Sequence, residues 1–115
     1  MKLTSDELLA ELVRVLDAKK AQNIISLNLK GISLIADYFI VCHGNSVTQV
    51  QALANEVRAK AMELKAEFRR MEGYDSARWV LIDLGDVVVH IFHREDREYY
   101  NLERLWSDAK VEEHA

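Results

Sequence analysis

Residues 78–92 read RWVLIDLGDVVVHIF, and this stretch decides the fold. Branched and aromatic side chains fill both of its halves, and such side chains favour strands. Leu84 and Gly85 separate the halves, and glycine supplies the unusual dihedral angles of a tight turn. The stretch therefore predicts two strands that are joined as a hairpin.

Two helices are predicted upstream from their capping residues and apolar spacing. Thr4 and Glu7 stand three residues apart, as do Ser46 and Gln49, and this is the spacing of a capping box. Behind each cap, apolar residues recur at intervals of three and four, as on one face of an amphipathic helix. The sequence thus predicts a helix after each of these two caps.

Three more strands and a final helix complete the predicted order. Residues 25–30 alternate between apolar and polar, whereas residues 37–44 are dense in branched and aromatic side chains. Residues 68–71 suit a short strand, and a helix is expected from about Glu95 to Trp106. This order predicts an α/β or α+β fold, with helices flanking a mixed sheet of about five strands.

The length and composition predict one soluble domain. A chain of 115 residues has room for a single hydrophobic core, which we place in residues 1–109, with 110–115 as a flexible tail. The net charge of −4 disfavours direct nucleic-acid binding, which usually needs a basic surface. No segment approaches the roughly 20 apolar residues of a membrane span, and the single cysteine fits a reducing compartment. We therefore expect a cytoplasmic protein.

Two pairs of residues suggest a metal or nucleophilic site. His90 and His93 stand three apart in a predicted strand, and Cys42 and His43 are adjacent in another. Side chains alternate between the two faces of a strand, so both pairs point apart. A buried, hydrogen-bonded His90 and a core Cys42 are the favoured interpretations, with metal binding as a weaker alternative.

An enzymatic alternative rests on the turn at residues 44–46, which reads Gly-Asn-Ser and precedes a helix. Nucleotidyltransferases use a Gly-Ser turn of this sort, followed by paired acids that alternate by two on a later strand. Here Asp83 and Asp86 are three apart and flank a turn. Turn formation explains both aspartates without chemistry, but a nucleotide-binding enzyme stays open as the second hypothesis.

Aromatic, amide and acidic residues cluster around the last predicted helix. They pack that helix onto the sheet, or they form an interface, where Trp, Tyr and Arg are favoured. The residues alone leave both interpretations open. The set comprises Trp79, Tyr99, Tyr100, Asn101, Leu102, Glu103 and Trp106.

Three long blocks carry a resemblance that covers nearly the whole chain. They read DAKKAQNIISLNLKG (17–31), ADYFIVCHGNSVTQVQALANEV (36–57) and ARWVLIDLGDVVVHIFHREDREYYNLERLW (77–106). In these blocks the sequence resembles the ribosomal silencing factor family, also called Iojap-like. Ordered blocks of this length are far more specific than a short motif.

The resemblance implies a non-enzymatic protein without a cofactor. Such a protein binds a large-subunit ribosomal protein at the intersubunit face, blocks joining to the small subunit and represses translation when nutrients are scarce. The resemblance also implies a homodimer, and a fold like that of nucleotidyltransferases without their catalytic acids. A net-negative protein with acids near residues 95–103 would suit a basic ribosomal protein as partner.

The partner-binding region is also carried over by this resemblance. It falls on the hairpin around the first tryptophan and on the last predicted helix, although either tryptophan could equally touch a second copy. The residues concerned are Trp79, Leu81, Tyr99, Tyr100, Asn101, Leu102, Glu103 and Trp106.

Overall fold

The computed structural model describes residues 3–100 and 108–114, with the side chains of 98–100 outside the description. Three helices and six strands lie in these ranges. In chain order they are α1 (Ser5–Ala18), β1 (Gln22–Asn28), β2 (Tyr38–Gly44), α2 (Val47–Glu63), β3 (Arg70–Glu72), β4 (Trp79–Asp83), β5 (Val87–His93), α3 (Arg94–Tyr100) and β6 (Lys110–Glu113).

The six strands form one mixed sheet in the order β3-β4-β5-β2-β1-β6. The predicted hairpin is confirmed: β4 and β5 pair antiparallel, with Trp79 opposite Phe92 and Asp83 opposite Val88. β2 and β5 pair in parallel, and the chain between them includes α2. The predicted fold class is therefore confirmed, with one strand more than the approximate five.

Both predicted helix caps are present. The Thr4 hydroxyl accepts a hydrogen bond from the Glu7 amide at 3.1 Å, and the Glu7 carboxylate accepts one from the Thr4 amide at 2.9 Å. The Ser46 hydroxyl likewise accepts from the Gln49 amide at 3.1 Å. Gln49 does not return this bond to Ser46, because its side-chain oxygen accepts from the Asn45 amide at 2.7 Å. The first capping box is complete, and the second is shifted by one residue.

Helices α1 and α2 cover one face of the sheet, which we call the helix face. Apolar side chains spaced three and four apart along both helices meet alternate residues of the central strands. All are buried, and they form the larger core cluster. Its fully buried members include Leu12, Leu16, Val50, Val57, Ile40, Cys42, Ile82, Val89 and Ile91.

The opposite side of the sheet, which we call the second face, carries a separate apolar cluster. Among the described residues, none from α1 or α2 belongs to it. Trp79 and Leu81 of β4 pack against this cluster and are only partly buried. Its buried members are Ile25, Leu27, Leu29, Ala36, Phe39, Val41, Val88, Phe92 and Ala109.

The C-terminal residues differ from the prediction of a flexible tail. Lys110–Glu113 forms β6, which pairs antiparallel with β1 and places Val111 opposite Leu27. The Ser26 hydroxyl and the His114 ring also lie 2.8 Å apart, within hydrogen-bond distance. All four β6 residues are exposed, so no buried alternation marks the strand in the sequence. Pairing satisfies backbone groups of β1 that would otherwise lack a partner.

Within the described part of the chain, no helix is both long and apolar enough to cross a bilayer.

Candidate docking surface

Trp79 lies at the start of β4 and belongs to an aromatic cluster on the second face. Its ring stacks on Phe92 of β5, with the centroids 5.0 Å apart and the planes at 30°. Its indole N–H donates a hydrogen bond to Nδ1 of His90 at 3.0 Å. This stacking contact and this hydrogen bond both restrain the indole, while Trp79 as a residue remains partly exposed.

Leu81 lies on the same face, two residues further along β4. It pairs with His90 across the ladder and is also partly exposed. The structure thus brings together two of the predicted partner-binding residues, Trp79 and Leu81, on one side of one strand. Their binding role stays a prediction.

His90 is buried and hydrogen-bonded, as predicted. Its side chain is 3% exposed, and the edge of the ring meets Phe39 at 4.5 Å between centroids. Burial lowers the pKa of His90 to about 4, because the apolar surroundings disfavour the charged imidazolium. At neutral pH, His90 is therefore a neutral imidazole whose Nδ1 accepts a hydrogen bond from the indole N–H.

His93 and His90 are not placed to act as ligands of one metal ion. Its Nδ1 accepts a hydrogen bond from the Glu95 amide at 3.2 Å, at the start of α3. The two Nδ1 atoms are thus engaged with different groups. No cluster of three or more His, Cys, Asp or Glu side chains suited to a metal ion occurs in residues 3–100 and 108–114.

The start of α3 is fixed to the sheet by two arginines. Arg78 forms ion pairs with Glu95 at 3.0 Å and with Asp96 at 2.7 Å. Arg97 donates to the Gln22 carbonyl at 3.3 Å and contacts Nδ1 of a neighbouring histidine at 2.9 Å. The hydrogen bond from Arg78 lowers the pKa of Glu95. Two acids that the sequence offers to a basic partner are therefore already paired within the chain.

The remaining predicted partner-binding residues cannot be placed in the same way. Tyr99 and Tyr100 are the last two residues of α3, and their side chains lie outside the description. The predicted helix continues to Trp106, whereas the described part of α3 ends at Tyr100. Four residues lie wholly outside the described ranges: Asn101, Leu102, Glu103 and Trp106.

The groups of the enzymatic alternative lie at opposite ends of the sheet. Gly44 pairs with His93 at one end of β5, whereas Asp83 pairs with Val88 near the other. Five residues of strand separate these positions, which corresponds to about 16 Å. Asp83 accepts a hydrogen bond from the Gly85 amide at 2.9 Å, as a turn residue does. The structure does not bring the Gly-Asn-Ser turn and the two aspartates into one site.

Cys42 and His43 do not form a nucleophile–base pair. It is completely buried on the helix face, and burial raises the pKa of its thiol to about 12. His43 points away from it and contacts Arg97 instead. The thiol therefore stays protonated at neutral pH, and the predicted role of Cys42 as a small core residue is confirmed.

One surface feature was missed at the sequence level. The loop between β1 and β2 exposes three large apolar side chains, and Leu34 is the most exposed of them at 107%. The loop begins and ends at Leu29 and Ala36, which are buried in the second-face cluster. The signal was the apolar run in GISLIADY (31–38), although spacing alone does not separate such a run from a strand. The other two exposed residues are Ile32 and Ile35.

The fold and this surface define a small α+β protein built on an open mixed sheet, with a Trp-His-Phe cluster at the rim of its second face. The family described as "Ribosomal silencing factor during starvation" matches residues 2–115. The chain belongs to this family.

Individual relatives agree with this family. "Ribosomal silencing factor RsfS" of Halalkalibacterium halodurans is 58% identical over 96% of this chain and 95% of its own length. A crystal structure of a protein from Chromobacterium violaceum has a TM-score of 0.88 at 36% identity, covering 91% of this chain and 88% of that one. "Mitochondrial assembly of ribosomal large subunit protein 1" of Mus musculus is a more distant relative, 29% identical over 84% of this chain and 43% of its own.

Proposed function

We propose that this protein is a non-enzymatic, cytoplasmic silencing factor that binds the large ribosomal subunit. It docks through the second face of its sheet on a basic ribosomal protein at the intersubunit surface. It thereby blocks joining of the small subunit and represses translation under nutrient limitation. The single observation that carries the docking site is the partly exposed indole of Trp79, held between Phe92 and His90.

Steric blocking needs occupancy of a surface and no bond making. A prearranged tryptophan suits this task, since large aromatic residues at the centre of interfaces often contribute most of the binding energy. Trp79 is already restrained by its stack on Phe92 and its hydrogen bond to His90, so little side-chain freedom is lost on binding. Leu81 extends the same apolar surface along β4.

The charge of the chain supports a protein partner over ribosomal RNA. A net charge of −4 repels phosphates and attracts a basic ribosomal protein. Glu95 and Asp96 contribute less than the sequence suggests, because Arg78 pairs with both. A homodimer, with the second copy on a different surface, belongs to the same proposal.

Subunit joining tests the proposal directly. Purified large subunits are incubated with the protein, small subunits are added, and joining is followed by light scattering. We expect the protein to lower the amplitude of joining and to co-sediment with the large subunit alone. Full joining at saturating protein, together with no co-sedimentation, would reject both the function and the partner.

Replacing Trp79 by alanine is expected to weaken large-subunit binding. Loss of an aromatic anchor costs about 2 kcal/mol, which corresponds to roughly thirtyfold in affinity. Co-sedimentation at graded protein concentrations measures the change, and circular dichroism confirms that the variant is folded. Phe68→Ala is the matched control: Phe68 is 37% exposed, but it lies under Arg58 of α2, on the helix side of the sheet. Equal losses from the two variants would contradict the assignment of the second face.

A further inference from the structure

We propose that His90 is a positioning residue for docking: as a neutral imidazole with its proton on Nε2, it fixes the Trp79 indole in the orientation that meets the partner. The inference rests on the proposed function, because it assigns the means by which that docking surface is prearranged. His90 itself is buried and touches no partner.

The hydrogen bond defines the tautomer. The indole N–H can only donate, so Nδ1 of His90 must be the acceptor at 3.0 Å. A neutral imidazole with a free Nδ1 lone pair carries its proton on Nε2. Trp79 pairs with Phe92 across the ladder, which makes His90 its diagonal neighbour on the same face. The ring planes of Trp79 and His90 are tilted by 44° at 5.9 Å, so the contact is a hydrogen bond at the ring edge and not a stack.

The surroundings of His90 argue against a role in filling space. Nε2 is buried and has no hydrogen-bond partner in the described structure. A buried N–H without a partner costs free energy, and Phe39, Val41 and Leu81 around it are apolar. A phenylalanine would fill the same volume without that cost. What histidine adds at this position is the acceptor for the indole.

Loss of the acceptor should loosen the indole without moving the strand. The stack on Phe92 sets the plane of the ring, and the hydrogen bond at one edge of the ring sets the direction of the other edge within that plane. Once that bond is gone, part of the binding energy goes into ordering the ring. We expect about tenfold weaker binding to the large subunit, the range of one hydrogen bond.

Two substitutions of His90 distinguish the effect of its hydrogen-bond acceptor from the effect of its ring. His90→Phe keeps the ring and removes the acceptor, while His90→Asn places a side-chain oxygen near the position of Nδ1 and restores it. Binding is measured by co-sedimentation, and the Trp79 indole N–H by ¹⁵N nuclear magnetic resonance, assigned by its loss in Trp79→Phe. In His90→Phe we expect an upfield indole proton, faster hydrogen exchange and the tenfold loss. In His90→Asn we expect all three to move back toward the wild type.

The outcomes distinguish this inference from the proposed function. If the wild type does not bind the large subunit, the proposed function fails, while the indole resonance still reports whether His90 holds the ring. If the wild type binds and His90→Phe binds equally well, the positioning role is overturned and the function stands. His114→Phe controls for loss of a histidine elsewhere, since the His114 ring lies beside Ser26 at the β6 edge of the sheet. Should His90→Phe not fold, Trp79→Phe removes the same bond from its donor side, and unchanged binding by that variant would equally overturn the inference.

Discussion

Replacing Gly73 by alanine is expected to destabilise the protein by about 3 kcal/mol, through strain and overpacking together. Gly73 has a φ of +80°, which side chains rarely adopt. A Cβ atom there would lie 2.1 Å from the carbonyl oxygen of Trp79 and 3.2 Å from its carbonyl carbon. Both are backbone atoms of the first residue of β4, so relief requires the strand itself to shift. Chemical denaturation measures the loss of stability.

Gly31→Ala is the matched control for this substitution. Gly31 has a nearly identical φ of +79°, but a Cβ atom there would meet nothing within 4 Å. It should therefore cost only the conformational strain, about 1 kcal/mol. Equal destabilisation by the two variants would show that the contact with Trp79 adds nothing. The binding assay adds a second comparison, since only Gly73→Ala displaces the residue that carries the docking indole.

Those parts of the fold that depend on local patterns could be predicted from the sequence. Thr4 and Ser46 are caps whose partners lie within four residues, and the hairpin at Gly85 needs only adjacent strands. The start of β1 was less predictable. The pairing register shifts between Gln22 and Ile25, and Asn23 has a φ of +47°, so the alternation becomes visible only after the bulge. β6 was missed because its own residues are exposed and its pairing with β1 is a tertiary contact.

The candidate docking surface also divides into features set by local sequence, which could be predicted, and features set by long-range pairing, which could not. Side chains alternate between the two faces along β5, and this correctly predicted that His90 and His93 have different surroundings. The alternation removed the geometric reason for proposing that both bind one metal ion. The bond between His90 and Trp79 could not be predicted, because it depends on which residues of β4 and β5 stand opposite each other. The same holds for Arg78, whose ion pairs with α3 join residues 17 and 18 positions apart. Long-range register, and not composition, determines which charges remain available to a partner.

Acidification from pH 6.5 to about 4 is expected to remove about 3 kcal/mol of stability through His90 alone, since one pKa unit corresponds to about 1.4 kcal/mol. The unfolded chain binds a proton at His90 as the pH falls through 6.5, the ordinary pKa of histidine. In the folded protein, His90 binds this proton only as the pH falls to about 4. The contribution is therefore fully present above pH 6.5 and is lost progressively between these two values. Urea unfolding at a series of pH values measures the loss.

His90→Phe separates this effect from every other titrating group. Asp6 and Glu95 have lowered pKa values in the folded protein and also lose stabilising interactions at acidic pH, but both are present in the variant. The difference in unfolding free energy between wild type and His90→Phe should therefore favour the variant increasingly as the pH falls from 6.5 to about 4. A difference that stays constant over this interval would mean that His90 is solvated enough to take up a proton in the folded state. In that case the hydrogen bond to Trp79 would break wherever His90 is charged, and subunit binding would fall over the same pH interval.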